Sequence, residues 1–160
     1  MAVHWPTRAA GAIMGTRRHI CETENGRDPR MNVFPLETLD RESSDPVNFT
    51  GPGSLRRIEG ALPADPRVNV YRVHFEARSR TNWHTHSGHQ MLFIVEGRCR
   101  YQKEGEPVGE AGPGDLIVVE PGENHWHGAA PGGAMTHLAL NVNAVTSWGD
   151  PVSEDEYDAG

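Results

Sequence analysis

The 160-residue sequence has little of what marks several common protein classes. Its two cysteines, Cys21 and Cys99, lie far apart, which argues against a disulfide framework and favours a reducing, cytoplasmic location. The formal net charge of −7 argues against nucleic acid as a partner, because phosphate binding needs a basic surface. No segment approaches the roughly 18 consecutive apolar residues of a transmembrane helix, so we expect no membrane partner.

The two ends of the chain differ in composition from its middle. Residues 1–30 have no sustained hydrophobic period and no apolar segment long enough for a signal peptide. We interpret them as a disordered N-terminal extension, with a transit peptide as the alternative. We expect an ordered domain over residues 31–150 and a solvated acidic tail over residues 151–160, in which "SEDEY" is the one stretch suited to a helical turn.

The middle of the chain has the pattern of short strands. Glycine (18 residues) and proline (12 residues) are abundant, and no stretch of the core has a convincing helical period. In "RVNVYRVHFEA" the side chains of Tyr71, Val73 and Phe75 alternate onto one face. Similar runs are "HQMLFIVEG", "LIVVEPGENHWHGAA" and "AMTHLALNVNAV". The pattern predicts a single all-β domain, an antiparallel sandwich or barrel.

Two histidines separated by one residue, in "HTHSGHQ", raise the question of a metal site. On a strand, His84 and His86 point to the same face, roughly 6.5–7 Å apart along it, so both imidazoles can converge on one ion. Gln90 can bring an amide oxygen to the same place if the chain turns at Ser87-Gly88. His125 follows the Pro-Gly turn of "PGENHWHG" and can supply a further nitrogen. Such donors suit Mn, Fe, Ni, Co or Zn, and the sequence does not choose among them.

Each of these assignments has a simpler alternative. The histidine pair can be solvated strand residues, and Gln90 can merely line the barrel. His89 is the rival of Gln90, but it falls on the opposite strand face, so we prefer Gln90. His127 shares a face with His125 and suits either a role behind the ligands or simple packing. Cys99 has no evident adjacent base, and we interpret it as buried filler.

Two motifs in this order resemble those of the cupins. The first is "HTHSGHQMLFIVEG" and the second is "GDLIVVEPGENHWHG"; the resemblance covers residues 68–145. It implies a jelly-roll-like β-barrel with one mononuclear metal site. Three features depart from the usual pattern. Gln90 replaces the acidic ligand, Glu120 replaces the first proline of the second motif, and the glycine before the first motif is absent, with Ser79 and Arg80 nearby.

Within the cupins, "RTNWHTHSGHQ", "PGENHWHGAAP" and "AMTHLAL" resemble small bacterial manganese cupins that act as hydroxynitrile lyases. That resemblance implies manganese as the favoured ion and a ligand set of His84, His86, Gln90 and His125. It also implies that His137 is the general acid/base that handles cyanide. Close relatives of these lyases can have other activities, so the metal site transfers more securely than the reaction.

The chemistry of the donors agrees with this assignment. A site of three imidazoles and one amide is neutral, so a divalent ion keeps its full charge and polarises a substrate oxygen more strongly. Because Gln90 cannot act as a base, His137 is the best proton carrier, although a hydrogen-bonded barrel residue is the alternative. The predicted reaction is cleavage or formation of a C–C bond. The alternatives are a metal-dependent dioxygenase and a non-catalytic small-molecule or metal-binding protein.

The remaining expectations concern the pocket and the assembly. Five residues that the strand pattern directs inward are expected to line the substrate pocket: Tyr71, Val73, Leu92, His127 and Asn141. We expect a small-molecule substrate. Cupins commonly pair through their sheets, so we also expect a homodimer or a higher homo-oligomer, with residues 31–60 as a candidate for an exchanged edge strand.

Overall fold

The computed structural model describes residues 33–58 and 67–159. The predicted disordered extension over residues 1–30 lies outside the described residues, and the predicted domain bounds remain predictions. Thirteen strands, one short α-helix and one 3-10 turn (Leu36–Thr38) make up the regular structure of the described part of the chain. Within that part, no helix has the length and apolar character needed to cross a membrane.

The strands are short, as the spacing of glycine and proline predicts. Their bounds are β1 (Glu42–Ser43), β2 (Phe49–Thr50), β3 (Gly53–Ile58), β4 (Val68–Phe75), β5 (Arg80–Thr81), β6 (His84–His86), β7 (His89–Glu96), β8 (Cys99–Lys103), β9 (Gly109–Ala111), β10 (Leu116–Val119), β11 (His125–Ala129), β12 (Met135–Val142) and β13 (Thr146–Trp148), followed by the helix α1 (Glu154–Asp158).

The strands form two antiparallel sheets. The first has the order β1-β3-β4-β12-β7-β10, and the second has the order β13-β6-β11-β5-β2, with β8 also paired to β11 and β9 to β8. The inner faces of the two sheets share one apolar core, to which Ile94 comes from the first sheet and Cys99 from the second. The prediction of an all-β antiparallel fold is confirmed.

Alternation along β7 separates the inside of the barrel from its outer surface. Gln90, Leu92 and Ile94 are buried, whereas the intervening Phe93 and Val95 are exposed. Because side chains alternate with a period of two, this register places all three buried residues on the inner face. If the pairing register of β7 shifted by one residue, Leu92 and Ile94 would point to the outer surface and Gln90 would leave the site.

Two glycines allow close approaches of backbone next to the histidines. A Cβ atom on Gly88 would stand 2.2 Å from the carbonyl oxygen of Val142, so only glycine lets the turn between β6 and β7 close against the end of β12. A Cβ atom on Gly128 would stand 2.3 Å from the carbonyl oxygen of Ser79. These approaches let the turn between β6 and β7 lie against the end of β12 and let β11 lie against β5.

The C-terminal segment is packed, and the expectation of a solvated tail is wrong for two of its residues. Val152 and Tyr157 are buried against Trp126, with the two aromatic ring centroids 5.6 Å apart. Helix α1 begins with a capping box in which Ser153 and Glu156 bond to each other's backbone N–H groups. The acidic composition of the segment gave no indication that the side chains of Val152 and Tyr157 cover the indole of Trp126.

Arginines reinforce this packing from the other side. The guanidinium groups of Arg78, Arg80 and Arg100 lie 4.6–5.1 Å from the ring centroid of Tyr157. Arg80, which is 2% exposed, also donates to a carboxylate oxygen of Glu154 over 2.8 Å. The Tyr157 hydroxyl donates to the carbonyl oxygen of Ala129 at the end of β11 over 2.6 Å. The segment therefore braces the outer face of the strand that carries His125 and His127.

Candidate metal centre

Strand pairing brings the histidines of two distant motifs together. His84 on β6 is the antiparallel partner of His125 on β11, and their ring centroids are 4.1 Å apart. The ring of His86 lies 5.0 Å from that of His84, and the ring of His127 lies 5.5 Å from it. All four side chains are buried. The predicted convergence of the two motifs is therefore present in the fold.

Backbone carbonyl groups fix the protonation of two of these rings. His84 Nδ1 lies 2.9 Å from the carbonyl oxygen of Asn82, and His125 Nδ1 lies 3.0 Å from that of Glu123. A carbonyl oxygen only accepts hydrogen bonds, so each Nδ1 must carry the proton and donate it. Each Nε2 is then left with a lone pair directed into the barrel, which is the arrangement that metal-binding histidines use.

His86 has a different partner on its outer nitrogen. Its Nδ1 lies 3.0 Å from the hydroxyl oxygen of Thr146, the residue opposite it on β13. Its Nε2 is buried and makes no hydrogen bond of good geometry among the described residues, although the Gln90 side chain lies close enough to oppose the lowering of the His86 pKa. A buried polar atom without a partner is costly, so this nitrogen calls for a ligand, a water or an ion.

The contact between Gln90 and His125 is the most informative distance in the site. Gln90 Oε1 lies 3.1 Å from His125 Nε2, while Gln90 Nε2 donates to Asn141 Oδ1 over 3.2 Å. Because the proton of His125 is on Nδ1, two lone pairs face each other with no proton between them. A cation relieves that contact, since ligands at about 2.2 Å and at right angles around an ion stand about 3 Å apart. The donor set therefore fits a divalent metal.

The histidines are neutral at pH 7, as metal ligands must be. Burial holds the pKa of His84 well below its ordinary value, and the nearby His125 lowers it further. Burial, followed by the charge of His125, lowers the pKa of His86 to about 4. The pKa of His125 is also lowered, mainly by burial. Protons therefore compete weakly with a metal for these nitrogens at neutral pH.

His127 offers a second way to complete the site. In the described part of the chain, ligand atoms of His84, His125 and His127 lie within 4.8 Å of one another, so these three could also hold an ion. His127 Nδ1 is buried without a hydrogen-bond partner among the described residues, as His86 Nε2 is. This nitrogen therefore also calls for a ligand, a water or an ion. The two donor sets share His84 and His125, and the choice between them remains a prediction.

His137 lies on the inner face of β12, fully buried. Its ring is edge-to-face with His127 at 5.1 Å and stacked with Phe75 at 6.0 Å. Neither ring nitrogen has a hydrogen-bond partner within the described residues, and burial lowers its pKa to about 3. The imidazole is therefore neutral at pH 7, the form that can accept a proton, and burial disfavours its protonated form.

The structure separates the predicted pocket residues into two groups. Leu92 and His127 line a cavity of about 210 Å³ beside His125, together with Tyr101 and Ile117. The remaining predicted residues, Tyr71, Val73 and Asn141, share the inner face of the first sheet with His137 and Gln90 but are not among the residues lining that cavity.

Several residues of the site were not found by sequence reasoning. Tyr101 lines the cavity opposite His127, and Lys103 at its rim contacts Glu123 over 2.7 Å and Glu106 over 3.2 Å. Thr146 contacts His86. None of these residues belongs to a recognisable spacing, because each joins the site through long-range strand pairing. The pairing of Lys103 leaves no unpaired cation among the described residues that line the cavity.

Comparison with known proteins agrees with the geometry. A family model described as Cupin domain matches residues 71–141. An (R)-mandelonitrile lyase from Granulicella tundricola is 44% identical over 88 residues, which are 53% of this chain and 67% of that protein. The crystal structure of a cupin-like protein from Thermotoga maritima is similar with a TM-score of 0.69 and 31% identity, over 75% of this chain and 93% of that one. A predicted oxalate decarboxylase from the same organism shares the fold, with a TM-score of 0.61 and 16% identity over 69% of this chain and 98% of that one.

Proposed function

The chain belongs to the cupin family, and from that premise we propose that it is a metal-dependent enzyme acting on a small hydroxynitrile or its carbonyl counterpart. The reaction class is a lyase that breaks or forms a C–C bond. The 44% identity to an (R)-mandelonitrile lyase supports this class. The observation that best supports the metal site is the contact between His125 Nε2 and Gln90 Oε1. These two atoms are 3.1 Å apart, and their lone pairs face each other.

In this proposal His84, His86, Gln90 and His125 hold one divalent ion, with manganese favoured and iron, nickel, cobalt or zinc as alternatives. The ion supplies Lewis-acid polarisation of the substrate oxygen. Asn141 accepts from Gln90 Nε2 and so directs the amide oxygen, rather than the nitrogen, toward His125. In the cavity beside His125, the apolar side chains of Leu92 and Ile117 would pack against an apolar substituent of the substrate.

His137 moves the proton. A neutral imidazole without an internal partner among the described residues accepts the hydroxyl proton of the hydroxynitrile. The C–C bond then breaks, cyanide leaves with the electron pair, and a carbonyl compound forms. His137 returns the proton to cyanide, which restores the neutral ring. Burial disfavours the protonated form of His137 and so favours this return.

The outer face of β7 and β10 supports a homodimer. Phe93, Val95, Leu116 and Val118 are large apolar residues with 41–54% of their surface exposed on neighbouring strands. Contiguous apolar patches of this kind commonly mark protein interfaces. A single species of one-chain mass in analytical ultracentrifugation would contradict the dimer.

The first experiment measures bound metal in the purified wild type, in His86→Ala and in His89→Ala. His89 is the matched control, because it is an exposed histidine at the start of β7, where its ring contacts Glu120 over 2.9 Å. We expect one ion per chain in the wild type and in His89→Ala, and loss of the ion in His86→Ala. Equal metal content in all three proteins would contradict the site.

The second experiment measures cyanide released from mandelonitrile by the wild type and by His137→Ala. We expect release to fall by about a hundredfold or more in the variant, with metal content unchanged. His74→Ala is the control, because His74 lies on the outer face of β4, where its Nδ1 contacts the Thr136 hydroxyl. Substrate-dependent oxygen uptake without cyanide release would replace the lyase with a dioxygenase. Bound metal without either reaction would favour a non-catalytic binding protein.

A further inference from the structure

The strand β13 lies beyond residues 71–141, the part of the chain that the cupin family model matches. It pairs with β6 so that Thr146 stands opposite His86 and Trp148 stands opposite His84. The Trp148 ring centroid is 4.8 Å from that of His84. The segment after the matched domain therefore contacts two of the proposed metal ligands.

The three proposed histidine ligands differ in how their outer nitrogen is held. His84 and His125 each face a backbone carbonyl oxygen, which accepts only and so fixes the proton on Nδ1. His86 faces the Thr146 hydroxyl, which can either accept from Nδ1 or donate to it. His86 is therefore the ligand whose tautomer depends on a side chain, and a single substitution can change it.

We propose that Thr146 is a positioning residue of the metal centre: its hydroxyl accepts from His86 Nδ1–H and leaves the His86 Nε2 lone pair free for the ion. This inference rests on the metal site proposed above. It makes β13 part of the metal centre, although β13 lies outside the matched domain.

The consequence of losing the hydroxyl follows from burial. Valine has the shape of threonine and suits a strand, but it cannot accept a hydrogen bond. The Nδ1–H of His86, whose contact with Thr146 is part-buried, would then lose its acceptor within the protein, which favours moving the proton to Nε2. An Nε2 that carries a proton cannot bind a metal. Serine keeps the acceptor and should preserve the tautomer.

The first test compares Mn²⁺ affinity, measured by competition with a chelator of known affinity, in Thr146→Val, Thr146→Ser and the wild type. Ser147→Ala is the matched control, because Ser147 is the exposed neighbour on the same strand. We expect about 10–100-fold weaker binding in Thr146→Val, as for other residues that orient metal ligands, and near wild-type binding in Thr146→Ser and Ser147→Ala. Unchanged affinity in Thr146→Val, or equal losses in the serine and valine variants, would overturn the proposal.

The second test reads the tautomer directly in metal-free protein, from the ¹⁵N shifts of the histidine ring nitrogens. His84 and His125 serve as internal references with the proton on Nδ1. We expect the Nδ1–H population of His86 to fall in Thr146→Val and in Thr146→Ala, and to be retained in Thr146→Ser. The same population in all four proteins would overturn the proposal.

The two tests separate the two hypotheses. Failure of the wild type to bind Mn²⁺ or any of the alternative ions, iron, nickel, cobalt and zinc, would refute the proposed metal site, whereas the tautomer measurement needs no metal. A wild type that binds one ion, combined with a Thr146→Val variant that binds it equally well, would refute only the role of Thr146.

Discussion

The two ends of the barrel interior differ in the kind of groups that they bury. At one end Phe75, Ile94, Cys99 and Met135 are each at most 1% exposed and pack as an apolar core. There, burial raises the pKa of the Cys99 thiol to about 12, which keeps it uncharged. We call these four residues the closed end.

The other end buries polar atoms that the described part of the chain does not satisfy. The histidine centre (His84, His86, Gln90, His125, His127 and His137) includes four ring nitrogens without a partner there: His86 Nε2, His127 Nδ1 and both nitrogens of His137. Unsatisfied buried groups destabilise a fold, so their persistence beside a well-packed core points to a ligand that completes them. The closed end therefore stabilises the fold, whereas the unpartnered nitrogens of the histidine centre are available to bind a ligand.

The largest effect should come from opening a cavity in the closed end. Met135→Ala removes a fully buried side chain and should lower the free energy of unfolding by about 2–5 kcal/mol, measured by urea denaturation. Metal bound per folded chain should not change, because Met135 contacts the core rather than the ligands. A loss of metal binding at a urea concentration where the variant remains folded would show that the two ends are not independent.

At the histidine centre, a substitution is expected to raise the free energy of unfolding instead of lowering it. His137→Leu replaces a buried, unsatisfied imidazole with an apolar side chain of similar size. It should therefore raise the free energy of unfolding of the metal-free protein by about 1–2 kcal/mol while cyanide release is lost. Urea denaturation beside the activity assay checks both. A destabilised His137→Leu protein would indicate that the imidazole already has a structural partner.

The pH dependence of the stability of the metal-free protein should come from the histidine centre. The pKa values of His86 and His137 are lowered to about 4 and about 3, below the ordinary value of 6.5 that an unfolded chain has. Between these values the unfolded state binds more protons, so the stability of metal-free protein is complete above pH 6.5 and declines as pH falls toward 4. Melting temperatures should follow this course. Saturating Mn²⁺ should raise them at pH 7 without making the decline shallower, because a bound ion keeps the ligand histidines deprotonated in the folded state. A flat profile from pH 7 to 5 would contradict the buried, neutral histidines.

The smallest effect concerns the orientation of the Gln90 amide. Asn141→Leu removes the acceptor for Gln90 Nε2 and should weaken Mn²⁺ binding by about tenfold, since partners of this kind orient ligands. Asn141→Asp keeps an acceptor and should bind the ion at least as well as the wild type. Chelator competition measures both. Equal affinities in the leucine variant and the wild type would mean that Gln90 needs no such support.

Local pattern predicted the strand content and the inward faces well. Alternation placed Tyr71 and Val73 on the inner face of β4, and the structure confirms that register through their pairing with Ala139 and His137. The H-x-H spacing and the Pro-Gly turn anticipated that His84 and His125 would meet, and they do. These features depend on a period of two and on turn chemistry, both of which are local.

What could not be predicted depends on long-range pairing or on single residues in a polar segment. Thr146 reaches His86 across a strand pair separated by 60 residues, and no spacing marks that contact. Tyr157 lies among acidic residues, so composition predicted that its side chain is exposed to solvent. In the structure its ring packs against that of Trp126. His127 could not be assigned from sequence, because its strand face is shared with His125, and its distance to His84 is a tertiary property.

The central claim is that one divalent ion is held by His84, His86, Gln90 and His125. The most direct measurement is anomalous diffraction at the manganese edge from crystals grown with Mn²⁺. We predict one peak per chain at bonding distance from the Nε2 atoms of the three histidines and from Gln90 Oε1. A peak bonded to His127 in place of His86 and Gln90, or no peak beside His84, would contradict the account.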